Sequence, residues 1–295
     1  MMMKLSPKTK RSLFGFMLVL PALTAFAIFV YRPLIETFIL SFHEWNMVGE
    51  KTYVGFNNYL ELFESSSFRQ ALLNTFYYGI LLIIFVVVVP IFINAGLYNM
   101  QEKAQNFYKT TLFTPAIISL GIAAIIWSWI FNPISGLLGA IWKYFGLDPI
   151  NWLSSTKYAL FAMVIIVVWK AFGYNFLLIL AGLVSIPDSI VDSARVDGAS
   201  GFKLWYYIML PLMAPTILFV LVFTLSMSAE YVFTPIHVLT GGGPMNASTN
   251  LMFEIWRQAF KWFRVGTSSA VAVIIFLIFS FLMLLRTLVK RIDSL

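Results

Sequence analysis

Two groups of residues in this chain have types and spacings suited to chemistry, and in both cases it is non-covalent chemistry. Lys170 and Glu230 are charged side chains set inside long apolar stretches. A charge in that setting is costly and by default marks a path for a solute or ion. The alternative is structural: Lys170 snorkels, or pairs with a carboxylate. The second group is a polar interruption from Asp192 to Pro211. It reads Asp192-Ser193-Ala194, three residues, Gly198, nine residues, Ile208, one residue, then Leu210-Pro211. Ile186-Pro187 closes the apolar stretch before it, because proline disfavours helix at the preceding residue. Asp188 or Ser189 is suited to cap a short helix through Ala194 to Val196. Gly198 breaks that helix, and a second one is expected from Ser200 toward Tyr207. Helix, glycine, helix forms an elbow that presents one face to a partner. Asp197-Gly198 alone is only a turn signal.

Other chemistries find little support in the composition. Cysteine is absent, which excludes a disulfide framework, iron–sulfur ligation and thiol catalysis. The two histidines, His43 and His237, are far apart, so a histidine-rich metal site is not expected. No glycine-rich loop ends in Gly-Lys-Ser or Gly-Lys-Thr, so ATP is not expected to bind here. Nor do paired acids or clustered histidines supply the machinery of an intramembrane enzyme. The formal net charge is +7, but the basic residues flank apolar spans and form no basic face with interleaved aromatics. Nucleic acid is therefore not an expected partner.

The elements that position these groups are membrane helices. Apolar residues make up 60% of the 295 positions and charged ones 11%. Soluble domains carry about 25% charge and about 45–50% apolar residues, so this chain belongs in a bilayer. A helix needs about 20 apolar residues to cross. Six stretches qualify, at about 13–40, 72–98, 110–131, 158–183, 208–233 and 267–288. These are long continuous runs without dyad alternation, so the fold class is all-α and not a barrel. The basic stretch from Lys4 to Arg11 and a modest excess of lysine and arginine on the same side place the N-terminus inside. An even number of spans then puts the C-terminus inside too. Ala25-Phe26-Ala27 mimics a cleavage site, but the apolar run continues well past it, as a signal peptide's short core does not. One domain is expected over 1–295, with no internal repeat.

The elbow spacing resembles the cytoplasmic loop of bacterial ABC-importer permeases, written Glu-Ala-Ala, three residues, Gly, nine residues, Ile, one residue, Leu-Pro. Asp192 stands where the family has Glu, and Ser193 where it has Ala. Trp169 to Pro187, with Gly173-Tyr174 and Ser185-Ile186-Pro187, is similar to the fourth span of carbohydrate-type permeases. Leu239 to Pro244 resembles that branch's Leu-Thr-Gly-Gly-Gly-Pro outer turn. Phe56-Asn57-Asn58-Tyr59 and Asn74-Thr75 sit where the same branch has similar residues. That branch includes the maltose and glycerol-3-phosphate permeases.

The resemblance implies a fold, a role and a set of partners. Asp192, Ser193, Ala194, Asp197, Gly198 and Ala199 would dock on a separate ATPase dimer that holds ATP and Mg, with no cofactor or metal in this chain. A second homologous permease and an extracytoplasmic solute-binding protein would complete the importer in the bacterial cell membrane. Alignment with maltose-type permeases places cargo contacts at Lys170, Ala171 and Tyr174, with Asn175 and Glu230 as further candidates. The aromatic ring would stack on a sugar face while amide, ammonium and carboxylate groups bond its hydroxyls. A sugar, expected to be an oligosaccharide, is the implied cargo. An anionic sugar derivative, such as glycerol-3-phosphate or a uronate oligosaccharide, is an alternative. From another class, an ion-coupled secondary transporter would need broken helices in matched repeats and several intramembrane acids; Glu230 is the one acid of that kind.

Overall fold

The structure, a computed structural model, describes residues 7–98 and 100–292. Lys4 and both chain ends, on which the orientation was read, lie outside them. The described residues are mostly helical. In chain order the helices are α1 (residues 7–40), α2 (Asn57–Glu64), α3 (Ser66–Leu97), α4 (Glu102–Ile117), α5 (Leu120–Ile130) and α6 (Leu137–Tyr144). There follow α7 (Ala159–Val184), α8 (Asp188–Val196), α9 (residues 201–212), α10 (Ala214–Thr240), α11 (residues 251–261) and α12 (Val265–Ile292). Among the described residues four helices are long and apolar enough to cross a membrane: Phe14–Leu40, α3, α7 and α10. The bent pair α4 and α5 makes a fifth if counted as one span, and Val265–Phe281 is a shorter apolar segment.

The expected third span, 110–131, is not one straight helix. α4 ends in a tight 3-10 turn at Thr114–Ile117, Ile118 and Ser119 are extended, and α5 leaves at 99° to α4. Pro115 lies in that turn and brings no N–H to a longer helix. Ser119 then caps α5, its Oγ accepting from the Ile122 N–H at 3.4 Å.

The chain divides into two compact units, residues 1–64 with 255–295 and residues 65–254. In the first, no part of the Phe14–Leu40 span is buried within the chain. A helix apolar all round needs lipid or another helix against it. α12 packs on residues 32–40 and on α2. Between them lies a two-stranded hairpin, β1 (His43–Glu44) and β2 (Thr52–Tyr53), pairing His43 with Tyr53 and Glu44 with Thr52. Buried Asn58 pins this corner. Its Nδ2 donates to the Ser41 and His43 carbonyls at 2.9 and 3.0 Å, and its Oδ1 accepts from Thr267 Oγ1 at 3.3 Å.

At the rim of the same corner the two terminal guanidinium nitrogens of Arg264, Nη1 and Nη2, donate to the two carboxylate oxygens of Glu61. The hydrogen bond from Arg264 holds the Glu61 carboxyl below its ordinary value of 4.5. A depressed carboxylate stabilises the fold above its unfolded pKa, and that contribution is lost as pH falls below 4.5 and through the folded value. Both side chains are half exposed, so solvent screening limits the effect to about 0.2–1 kcal/mol. The protection of the amides of residues 41–44, corrected for the intrinsic pH dependence of exchange, is expected to fall between about pH 6 and pH 3. Glu61→Gln should flatten that dependence; an equal acid response in the variant would discharge Glu61 from the role.

In the second unit α3, α7 and α10 pack against one another, with α4 and α5 leaning on α7. Buried Ala159, Ala162, Met163, Ile166, Phe176 and Ile179 make α7 the central helix. Small residues let membrane helices approach closely, and Gly173 is the tightest case on α7. A Cβ there would fall onto the Leu112 carbonyl and lie 2.6 Å from Phe113 Cα. The turn after α10 is fastened to α3. Asn74 Nδ2 donates to the carbonyls of Asn246, Ala247 and Thr249 at 3.1, 3.1 and 2.9 Å. Tyr78 OH donates to the Ser248 carbonyl at 2.8 Å, and Thr75 Oγ1 accepts from the Leu251 N–H at 3.0 Å.

Candidate functional site

Two helical stripes face each other across a cleft within the second unit. On α7 the stripe is Val167, Lys170, Ala171 and Tyr174; on α10 it is Thr224, Met227, Ser228 and Tyr231. Both follow the i, i+3, i+4, i+7 spacing that sets side chains on one helix face. Leu82 and Val86 of α3 and Ala116 at the bend also line the cleft. Its walls are mostly apolar with a few polar groups, the usual make-up of a small-molecule site.

Lys170 Nζ donates to the Ala116 carbonyl at 2.7 Å. Lys170 is the charged residue among those lining the cleft. Tyr174 is 46% exposed and tilts against Phe223, ring centroids 5.9 Å apart. Asn175 is buried, and its Nδ2 donates to Thr224 Oγ1 at 2.8 Å, so that donor ties α7 to α10. Lys170, Ala171, Tyr174 and Asn175 thus share one cleft. Glu230 is exposed and is not among the lining residues. One residue along a helix is a rotation of about 100°, so Tyr231 lines the cleft and its neighbour does not. Thr224, Ser228 and Tyr231 are lining residues that sequence reasoning missed, although their helical spacing was there to be read. Ala116 could not be found that way, since its position depends on the bend.

The polar stretch forms α8 and α9 with a glycine corner between them. Neither Asp188 nor Ser189 caps α8, contrary to expectation. Pro187 occupies the cap position, and Asp188 sits in the first turn, where a carboxylate opposes the positive end of the helix dipole. Ser193 Oγ donates to the Ser189 carbonyl at 2.8 Å, and Arg195 Nη1 donates to Asp192 Oδ1 at 3.3 Å. At the far end the Gly198 N–H donates to the Arg195 carbonyl and the Ala199 N–H to the Ala194 carbonyl. These two bonds close a helix with its terminal residue left-handed, and Gly198 has φ +88°. Val191 and Ala194 are buried, while Val196 is 87% exposed. The elbow therefore has an inner face held by the chain and an outer face with apolar and charged groups uncovered.

Comparison with known proteins agrees with this architecture. Residues 81–294 match the family described as binding-protein-dependent transport system inner membrane component. The chain is 33% identical over 267 residues to the probable ABC transporter permease protein YurN of Bacillus subtilis (strain 168), covering 89% of this chain and 91% of that one. It is 32% identical over 264 residues to the sn-glycerol-3-phosphate transport system permease protein UgpA of Yersinia pestis, covering 89% of each. A chain from the crystal structure of a bacterial ABC transporter involved in the import of the acidic polysaccharide alginate matches with a TM-score of 0.83, 25% identity and 96% of both chains covered. A chain of the bacterial alginate ABC transporter in complex with alginate pentasaccharide-bound periplasmic protein matches at 0.82 and 25% identity, covering 94% of this chain and 93% of that one. With a cleft between membrane helices, an uncovered elbow and these relatives across nearly its whole length, the chain belongs to the inner-membrane components of binding-protein-dependent transport systems, as a multi-pass, non-enzymatic permease subunit of an ABC importer.

Proposed function

We propose that this permease forms half of the translocation pathway for a sugar or oligosaccharide in a bacterial inner membrane. The observation that carries the reading is the pair of facing stripes on α7 and α10, which bring an aromatic ring, an ammonium group and hydroxyls to one cleft. Tyr174 stacks on a sugar face; Lys170 and Asn175, with Tyr231 opposite, bond its hydroxyls. Glu230, exposed beside Tyr231, faces the half of the pathway that a second, homologous permease supplies. The chain crosses six times with both ends cytoplasmic, the bent pair α4–α5 and α12 counting as one span each. Two ATPase subunits, holding ATP and Mg, dock on Asp192, Ser193, Ala194, Asp197, Gly198 and Ala199. A solute-binding protein delivers cargo from outside, and closure of the ATPase dimer swings the helices from inward-open to outward-open.

An anionic sugar derivative is the second reading. Lys170 as the charged group of the cleft favours it, and the names of two relatives, for sn-glycerol-3-phosphate and for alginate, support it.

The test is to tag the chain, extract it gently from native membranes and identify what co-purifies. A second permease, a nucleotide-binding subunit and a solute-binding protein are expected, and the ligand of the last names the cargo. Gly198→Val strains a φ of +88° by about 1–2 kcal/mol and is expected to release the ATPase while the chain's own level stays near that of the parent. Recovery of the chain alone, or only with copies of itself, would overturn the proposal.

A further inference from the structure

The Ala116 carbonyl lies in the last turn of α4, before the extended residues Ile118 and Ser119. The last carbonyls of a helix have no partner further along the chain, and within a bilayer a partner must come from elsewhere. Lys170 supplies it at 2.7 Å from the neighbouring helix. One turn further along α7, Gly173 brings that helix into backbone contact with Leu112 and Phe113. The same face of α7 thus holds the broken span at two points of different character. At Gly173 backbone meets backbone, with nothing that can give. At Lys170 the hold is one hydrogen bond at the end of a flexible four-carbon stem. An ammonium group carries three donors; Ala116 takes one of them, and oxygens entering the cleft can take the others. Ala116 and Lys170 both line that cleft.

We infer that Lys170 is a positioning residue that sets the bend between α4 and α5 and passes the pull of cargo in the cleft to that bend. The bend forms part of the wall of the cleft, so the same hydrogen bond that completes the helix end also shapes the space the cargo meets. This rests on the cleft being the pathway, and it goes beyond that reading by giving the lysine a mechanical role distinct from contact with cargo.

The chain contains no cysteine, so with any cysteines of the partner subunits replaced, spin labels at Lys103→Cys on α4 and Ile125→Cys on α5 report the bend. The measurement is their distance distribution in the intact co-purified assembly in nanodiscs without cargo, for Lys170, Lys170→Arg and Lys170→Met. A single narrow distance is expected for lysine and arginine, and a shifted or broadened one for methionine. A label distance in Lys170→Met that matches the parent overturns the inference. Should the methionine variant not accumulate, Lys170→Gln, polar but too short to reach the carbonyl, gives the same reading. An assembly that holds no ATPase would sink the importer pathway, yet the label distances, which need no ATP, would still decide on the bend.

Discussion

Replacing Gly173 by valine is expected to remove the folded chain from the membrane, with little correctly assembled protein left to assay. Overpacking a core costs about 1–3 kcal/mol when side chains can shift. Here the obstruction is main chain: the Leu112 carbonyl and Phe113 Cα stand where the new Cβ must go. Relief requires α4 to move off α7, carrying Ala116 and the wall of the cleft with it. A cost above about 3 kcal/mol is a large share of the roughly 5–15 kcal/mol that hold a domain together. Gly96, also helical, is the control, because nothing lies within 4 Å of a Cβ built there. Gly96→Ala should be neutral or stabilising, since glycine within a helix is worse than alanine by roughly 0.5–1 kcal/mol. Thermal melting of the detergent-extracted chain, followed by size exclusion, separates the two. If Gly173→Val melts with Gly96→Ala, the close approach of α4 and α7 is wrong.

Asn74→Leu should loosen the turn after α10 more than any other single change in that region. The amide is shared among three carbonyls, of which that of Thr249 is buried and that of Asn246 also accepts from the Thr249 N–H. Each buried acceptor left without its donor costs about 1–3 kcal/mol, and the costs are not additive. A net loss near 3 kcal/mol corresponds to about a hundredfold faster hydrogen exchange for amides in the turn. Residues 240–251 are the ones to follow. Asn74→Asp separates donors from packing, because it keeps the size and removes both N–H groups; it should be as harmful as leucine. Exchange unchanged in both variants would contradict the assignment of Asn74 as the anchor.

How much of this was legible in the sequence varies residue by residue. The permease reading and the membrane helices followed from local signals: apolar run length, and a motif whose spacing lies within twenty positions, Asp192 to Pro211. Such signals survive folding because they are satisfied close to home. The break in the third apolar run did not show. Thr110 to Phe131 is apolar enough to cross, and its direction changes only at Ile118 and Ser119, where Pro115 was the one cue. Glu230 drew attention because a charge in an apolar run is conspicuous, yet the cleft is lined by its less conspicuous neighbour Tyr231. Which face of α10 looks inward depends on what packs against α10, and no local signal holds that information. Asn74 was noticed only for its resemblance. Its partners lie more than 170 positions away, a separation across which one sequence gives no account of contact.

The fastening of the turn after α10 to α3 also has a kinematic meaning. Asn74, Thr75 and Tyr78 clamp the stretch from Asn246 to Leu251, while Asn250 Nδ2 donates back to the Ala229 carbonyl at 2.9 Å within α10. Two helices joined through one stapled loop cannot rotate independently at that end without breaking several buried bonds together. Packed interfaces of this kind shift as wholes and do not flex by degrees. α3 and α10 therefore count as a single stiff strut at the turn, and whatever tilts one carries the other. Freedom to rearrange is left to the opposite end of α10, where Pro211 of α9 and Pro215 in the first turn of α10 flank the break at Met213 next to the elbow.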